Sequence, residues 1–260
     1  PGASGGYITL PPTEDLEGLA AKAPELRALK AASGAHYAQA YRLIGAASRL
    51  EEALRASLTQ VFQLPRLLRR AEGIVSREFP RAGGDTAPGK LRLRFLDGVT
   101  PEGLLCLWDT VDAMAERVYL FEDTYGVAEP ALCLLRDAAL ERGLEVYACL
   151  CPKDPERLRH VLLPGLGLAF VTQSGRPAYP HEPYRRVRSA ASLDTAALRP
   201  RRRQPKLLPR TAGPLLEDAV AEIAAAHALH DQMEALYLPH MNFSDLDTAT
   251  ARAMATIALG

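Results

Sequence analysis

Residues 117–136 combine a layout and a set of side chains that bear on phosphate chemistry. Their sequence, RVYLFEDTYGVAEPALCLLR, predicts a buried strand over 118–121, a turn-rich loop, and a helix that begins at Pro130. A loop between a strand and a helix N-terminus is the arrangement in which backbone N–H groups hold a phosphate or another anion. The layout alone therefore predicts an anion-binding loop at this point of the chain.

The side chains that a triphosphate loop requires are absent from this layout. The pattern G-x-x-x-x-G-K-[ST], laid over residues 123–130, finds Asp123 and Ala128 in place of its two glycines. Glu129 stands where the pattern has its lysine, and Pro130 where it has the hydroxyl residue that binds Mg²⁺. The sequence thus lacks the residues that wrap a triphosphate, neutralise it and hold its metal ion.

Acidic side chains also oppose a bound triphosphate here. Glu122, Asp123 and Glu129 would face roughly four negative charges, and each like-charge contact at about 4 Å costs on the order of 1–4 kcal/mol. Only Gly126 keeps a residue type that the loop would use. We expect a structural relic of a phosphate loop, in which Glu129 is itself the anion that the helix N-terminus favours. An altered ligand site and a working triphosphate site are the alternatives. The positions concerned are Asp123, Gly126, Ala128, Glu129 and Pro130.

A second candidate site is the basic segment between Arg185 and Arg210. It holds nine Arg or Lys residues and the single acid Asp194, a charge pattern that binds phosphate backbones in a salt-sensitive way. Only Tyr184 adjoins the segment, so base stacking is not indicated. Pairing with acids of neighbouring helices, or a solvated loop, is the alternative interpretation. The residues singled out for partner binding are Arg185, Arg186, Arg188, Arg201, Arg202 and Arg203.

Two other groups of residues invite a metal interpretation, and neither supplies a full ligand set. Cys149 and Cys151 alternate on a predicted strand, so both sulfurs point to one face, but His160 is their only predicted companion. His227 and His230 share one face of a predicted helix with nearby acids. We expect buried cysteines that pack as small hydrophobes and histidines that are packed or on the surface, and we predict no metal site.

The elements around these residues predict an α/β fold. After a Pro- and Gly-rich linker, apolar strands alternate with helices; the strands are predicted at 91–96, 118–121, 144–150 and 166–171. We predict further helices that begin at Thr100 and Asp154, since each is a capping residue followed by proline and an acid. Fully apolar strands in such an alternation predict a parallel sheet with helices on both faces. Because of the strand–loop–helix layout at 117–136, we predict that this sheet is P-loop-NTPase-like.

Long helical segments flank the predicted sheet in the sequence. Apolar residues recur at spacings of three and four from 34 to 79, with an interruption at Pro65. The same period resumes at Gly213, breaks at Pro239, and continues over 244–259. We therefore predict long helical-hairpin tails beside the α/β part.

The two tails also indicate an internal repeat. Residues 40–64 align without gaps to residues 219–243, although two Ala/Leu-rich amphipathic helices that merely look alike would give a similar match. If the repeat is real, residues 1–80 are the helical tail of a preceding, truncated unit. Residues 81–90 are then a linker, and 91–260 a complete unit.

Composition places few limits on the function. Lys+Arg 31 balances Asp+Glu 31, so no whole-chain field argues for nucleic acid or anionic lipid. No run of about 18 apolar residues predicts a membrane span. Four cysteines in 260 residues are not a disulfide scaffold, which predicts a reduced, cytoplasmic setting.

With these residues in view, the chain resembles a bacterial family of paired P-loop ATPase-like proteins, described in general terms as ATPases or nucleotide kinases. The segments that carry the resemblance are FLDGVTPEG at 95–103, the strand–loop–helix at 118–135, CPKDPERLRHVLLPGLGLAFV at 151–171, and ALHDQMEALYLPHMNF at 228–243. The family has an acid after the strand that here ends at Val171, where Thr172 and Gln173 stand. The resemblance implies a second, degenerate half preceded by a remnant of a first half.

Two function hypotheses follow, from different classes. The first is a P-loop ATPase-related protein whose nucleotide site is structural or regulatory; ATP and Mg²⁺ belong to an intact half absent from this chain, so no cofactor is expected here. Its expected partners are that missing N-terminal half or a second copy of the chain, and no membrane. The second is a non-enzymatic interaction module that uses segment 185–210 to bind nucleic acid or an acidic partner. An enzyme of another chemistry ranks last, because spacing assigns no Ser/His/Asp or Cys/His arrangement.

Overall fold

The computed structural model describes residues 14–81, 87–175, 177–199 and 203–258 of the chain. The chain divides into two compact units, one formed by Pro1–Ala38 with Ala225–Gly260 and the other by Gln39–Ala224. In chain order the helices and strands are α1 (Leu16–Leu58), α2 (Leu64–Glu78), β1 (Leu91–Phe95), β2 (Asp97–Thr100), β3 (Gly103–Cys106), α3 (Trp108–Met114), β4 (Arg117–Glu122), α4 (Glu129–Leu140), β5 (Val146–Cys151), β6 (Asp154–Leu163), β7 (Leu168–Gln173), β8 (Arg185–Arg188), α5 (Thr195–Leu198), α6 (Arg203–Tyr237) and α7 (Phe243–Ala258).

The first unit is helical in the residues described. Asp15 precedes α1, and its carboxylate accepts the Gly18 N–H at 3.0 Å, which satisfies one backbone donor of the first turn. Ser33 in α1 donates its hydroxyl to the Ala226 carbonyl of α6 at 3.2 Å. The predicted break at Pro239 and the last helix are confirmed by the end of α6 and by α7.

The second unit contains a six-stranded sheet in the order β1-β5-β6-β7-β4-β8. The pairs β1–β5, β7–β4 and β4–β8 are parallel, whereas β6 is antiparallel to both of its neighbours. The predicted α/β class is therefore confirmed, and the sheet is mostly parallel. β1, in which apolar and charged residues alternate, forms one edge.

The central strands are buried on both faces of the sheet, as their apolar runs predicted. In β4, Tyr119 and Phe121 pack into the cluster that contains residues of α2 and α4, while Val118 and Leu120 pack into the cluster that contains Trp108 of α3. This alternation follows from the two-residue period of a strand, which points successive side chains to opposite faces.

The helix predicted to begin at Asp154 is wrong, because residues 154–163 form strand β6. A tight connection pairs Asp154 with Cys151, and the strand then places His160 opposite Cys149. The sequence HVLL at 160–163 is buried throughout, and the packing of this apolar run in the sheet overrides the capping signal of Asp154 and Pro155.

The helix predicted to begin at Thr100 is also wrong. Residues 97–106 form the hairpin of β2 and β3, and the Thr100 hydroxyl donates to the Gly103 carbonyl at 2.9 Å across its turn. Gly103 adopts φ +123°, a conformation that helices exclude. A short helix begins instead at Trp108, and Leu104 and Leu107, which precede it, are exposed.

A further boundary differs from the predictions. α6 begins at Arg203, ten residues before the predicted start at Gly213, even though Pro209 and Pro214 lie inside it. The basic segment between Arg185 and Arg210 begins with strand β8, which pairs with β4. Residues 82–86 of the predicted linker lie outside the described residues, and the division at residues 80 and 90 stays a prediction.

Candidate functional site

A crevice of about 200 Å³ opens at the carboxyl ends of β4 and β7. These parallel strands are neighbours and finish side by side, with Glu122 opposite Gln173. The other walls come from α1, α6, the middle of β6 and the loop that follows β4. Ligand sites of open α/β sheets lie outside the carboxyl ends of parallel strands, so this crevice is the first candidate site.

The Asp123 side chain binds the backbone of the predicted phosphate loop, to which it belongs. Its backbone N–H donates to the Gln173 carbonyl at 2.8 Å, which continues the pairing of β4 with β7. Its buried carboxylate accepts the backbone N–H groups of Val127 and Ala128 at 2.8 Å and 3.0 Å. Two N–H groups that would hold a phosphate at the start of α4 therefore hold a carboxylate of the chain itself.

Two opposing effects act on the charge of Asp123. Burial raises the pKa of this carboxyl group, and the N–H groups of Ala128 and Val127 oppose that shift, as do Arg157 and Arg159 more weakly. The pKa lies above its ordinary value. When Asp123 is ionised, a phosphate against the same loop would add like-charge repulsion in a site with little water.

Glu129 was predicted to be the anion at the helix N-terminus, and the structure gives that role to Asp123 instead. Glu129 faces β6: its carboxylate accepts the Arg157 Nε–H at 2.7 Å and the Leu158 backbone N–H at 3.0 Å. It thus ties the first turn of α4 to the neighbouring strand. The sequence missed this because Arg157 was predicted to lie in a helix.

The other loop residues have structural roles. Gly126 adopts φ +67°, and its carbonyl accepts a hydrogen bond from Arg157 Nη2 at 3.2 Å. Ala128 is fully buried before α4, and Pro130 lies in the first turn, where a missing N–H costs nothing. The predicted loop residues are thus brought together, and contacts within the chain use their polar groups.

A second group of polar residues lies beside a smaller cavity of about 140 Å³. Asp97 accepts a hydrogen bond from His160 Nε2 at 3.2 Å, pairs with Arg159, and accepts the Cys106 thiol. Burial of Asp97 opposes ionisation, but His160 and then Arg159 hold the pKa of this carboxyl group well below its usual range. Burial raises the pKa of Cys106, so it is a thiol at neutral pH and a poor nucleophile.

The tautomer of His160 argues against a metal ion in this group. Asp97, Cys106 and His160 have potential ligand atoms within 4.8 Å of one another. The Thr172 backbone N–H donates to His160 Nδ1 at 3.1 Å, so the neutral ring carries its proton on Nε2 and donates it to Asp97. A metal ion at Nε2 would require a proton on Nδ1, directly against the Thr172 N–H. These residues fit a buried hydrogen-bonded set better than a metal centre.

The histidines and cysteines weighed in the sequence are placed as follows. His227 and His230 are exposed, and each pairs with the acid one turn further along α6, Asp231 at 3.5 Å and Glu234 at 3.2 Å. All cysteines are free, and Cys149 lies in the sheet core. No group of potential metal ligands in the described part of the chain includes Cys149 or these two histidines.

The basic segment forms half of a second candidate site, an open groove of about 580 Å³. We call it the arginine groove. Its arginines come from the edge strand β8 and from α2, and they are Arg69, Arg70, Arg77, Arg185, Arg186 and Arg188. The α2 residues were not predicted from the sequence, because they lie more than a hundred positions before the segment. Arg70 Nη1 donates to the Arg188 carbonyl at 3.0 Å and so joins the two walls.

Acids neutralise only part of the arginine groove. Arg186 and Arg188 share one acid: the carboxylate of Glu122 lies 3.6 Å from the Arg186 guanidinium group and 3.4 Å from that of Arg188. Arg77 lies 3.7 Å from Glu78, whose buried carboxylate also binds Arg117 and the Tyr119 hydroxyl.

Three of the groove arginines lack an acidic partner. Arg69, Arg70 and Arg185 form no ion pair within the described residues, and Arg185 lies over the Tyr184 ring at 5.3 Å. The groove therefore keeps a surplus of positive charge.

The remaining members of the predicted basic cluster are not part of this geometry. Arg201 and Arg202 lie outside the described residues, and Arg203 begins α6. Arg210 is exposed on α6 and does not line the groove.

Comparison of the chain with protein-family models, with curated proteins and with solved structures gives no match in any of the three. Among the helices of the described residues, none has both the length and the apolar character that crossing a bilayer requires.

Proposed function

We propose that this chain is a non-catalytic binding module that holds the phosphate backbone of a nucleic acid in the arginine groove. The observation that carries the proposal is the convergence of six arginines from α2 and β8 on one open groove. Guanidinium groups bind phosphates through paired N–H donors, so a row of them suits a polyanion better than a single small ligand.

The groove favours contacts with phosphates over contacts with bases. The exposed aromatic residue Tyr184 precedes β8, and Arg117 and Arg185 lie over its ring at 5.6 Å and 5.3 Å. Those guanidinium groups occupy the surface on which a base would stack. Binding is therefore expected to depend weakly on sequence and strongly on salt.

Binding of a labelled oligonucleotide, followed by fluorescence anisotropy, tests this proposal. The double variant Arg69→Gln/Arg185→Gln should weaken binding at least tenfold, because it removes two of the three groove charges that have no acidic partner among the described residues. Arg210→Gln is the matched control, since it removes an equally basic residue of the same sequence cluster outside the groove. Equal effects of the two changes, or no binding by the unmodified chain, would reject the proposal.

The relation to paired P-loop ATPase-like proteins is the second part of the proposal. In this interpretation the β4–α4 loop is a phosphate loop that Asp123 has closed, and any ATP hydrolysis belongs to a half absent from this chain. The carboxylate of Asp123 on the Val127 and Ala128 N–H groups supports it. Titration with labelled ATP and Mg²⁺ should give no saturable binding at the loop. Micromolar binding that Gly126→Asp abolishes would reject the interpretation.

A further inference from the structure

Arg55 occupies an unusual position for a cation. It lies on α1, is half-buried, and lines the crevice at the carboxyl ends of β4 and β7. A Cβ at Gly126 would lie 3.6 Å from both its Cδ and its Nη1, so the side chain extends across the closed loop. The guanidinium group therefore reaches the place where α/β sheets bind their ligands.

The acids that line the crevice already have partners. Glu51 pairs with Lys153, and Glu129 pairs with Arg157. Asp123 is held by backbone N–H groups of its own loop.

Arg55 has no ion-pair partner among these acids. Its guanidinium group forms no ion pair or hydrogen bond with any residue that the structure describes. Partial burial lowers the pKa of Arg55, and repulsion from Arg157 adds to this effect, while Glu51, Glu129 and Asp154 attract it from beyond ion-pair distance. A guanidinium group that is partly buried and has no partner in the chain is suited to bind an anion from outside the chain.

The other residues that line the crevice indicate which kind of anion would fit. Thr124, Thr172 and Ser174 also line the crevice, and a hydroxyl group can donate a hydrogen bond to an oxyanion. Leu54 and Leu216 contribute apolar surface for an organic body. The volume of about 200 Å³ suits a small molecule.

We propose that this crevice binds a small organic oxyanion, with Arg55 as its anchor. The shared chemistry is a carboxylate or a phosphate group that accepts the paired N–H donors of Arg55, with an apolar body of a few carbons against Leu54 and Leu216. This site is separate from the arginine groove, which lies along α2 and β8.

Thermal unfolding with two probe anions, butyrate and inorganic phosphate, tests the proposal. At least one probe should raise the melting temperature of the unmodified chain in a saturable way. The variant Arg55→Met should bind that probe at least tenfold more weakly. Arg55→Lys should retain part of the effect. Preference for butyrate or for phosphate identifies a carboxylate or a phosphate ligand.

Three comparisons make the outcome specific. Without a probe, Arg55→Met should melt at a higher temperature than the unmodified chain, because it removes a half-buried charge that lacks a partner. Arg49→Met, on the exposed face of α1, is the matched control and should change neither property. The double variant Arg69→Gln/Arg185→Gln should keep the probe effect, which separates this site from the groove. No saturable effect of either probe, or an equal effect in Arg55→Met, would overturn the proposal.

Discussion

The backbone N–H of Ala128 donates to the carboxylate of Asp123 at 3.0 Å, across the turn that joins β4 to α4. This bond fills, with a group of the chain itself, the position that a phosphate takes at a helix N-terminus. It explains how the loop between β4 and α4 is held in place without the glycines and the lysine of a phosphate site. The backbone N–H groups of Val127 and Ala128 are therefore bound within the chain.

Replacing Asp123 by alanine should destabilise the chain by about 1–3 kcal/mol, because the N–H groups of Val127 and Ala128 lose a buried acceptor. Urea unfolding measures the change. Millimolar formate should restore part of the loss by occupying the vacated position. Glu156→Ala, an exposed change on β6, is the control and should have an effect below about 0.5 kcal/mol. A similarly small effect of Asp123→Ala would contradict the account of the loop.

Gly126→Ala should cost about 1–2 kcal/mol, because an alanine at φ +67° places its Cβ against the backbone. The nearest atoms of Arg55 are at ordinary contact distance, so the cost is one of conformation. Gly45→Ala, inside α1 and open to added atoms, should instead stabilise the chain by about 0.5–1 kcal/mol. Changes of the same sign at both glycines would contradict this reading of the loop.

The stability of the second unit should fall as the pH is lowered from about 7 towards 5, because of His160. Burial lowers the pKa of His160 in the folded chain, against the opposing hydrogen bond to Asp97, so the folded state stays neutral while the unfolded state binds a proton. Stability is then fully present above the unfolded pKa and is lost below it, at a limiting slope of about 1.4 kcal/mol per pH unit. Asp97, whose folded pKa is lowered, adds its own loss only below about pH 4.

Urea unfolding at several pH values measures this slope. His160→Gln should remove its contribution from pH 5 to 7, whatever its effect on stability at pH 7. An unchanged slope in that variant would show that His160 is not the group responsible.

Zinc should not stabilise the chain through Asp97, Cys106 and His160. The hydrogen bond from the Thr172 N–H to His160 Nδ1 keeps the proton on Nε2, and Arg159 already pairs with Asp97. Thermal unfolding at pH 7 with one equivalent of Zn²⁺ should match that with EDTA. A zinc-dependent rise in melting temperature that Cys106→Ala abolishes would contradict the assigned tautomer.

The sequence predicts the parts of the fold whose signals are local. The apolar strands at β4 and β7, the start of α4 and the break at Pro239 all follow from runs or periods that packing reinforces. Local signals failed at Thr100 and Asp154, each a capping residue followed by proline: Thr100 ends strand β2 and Asp154 begins strand β6, and neither begins a helix. In both places the turn and the pairing partner decide the structure, and neither is visible in a single short segment.

Each candidate site was also predicted only in part from the sequence. The loop 123–130 was predicted from spacing, but the choice of Asp123 over Glu129 as the internal anion depends on β6, which brings Arg157 to Glu129. Half of the arginine groove was predicted from the cluster around Arg185. The other half comes from α2, because the tertiary fold alone brings Arg69 beside β8.

The salt dependence of nucleic-acid binding tests the central claim most directly. The logarithm of the affinity should fall linearly with the logarithm of the salt concentration, with a slope of about −0.9 for each phosphate contact. The double variant Arg69→Gln/Arg185→Gln should reduce the magnitude of that slope by roughly 2, and Arg210→Gln should leave it unchanged. A slope near zero in the unmodified chain, or one that the double variant does not alter, would contradict the proposal that the arginine groove holds a phosphate backbone.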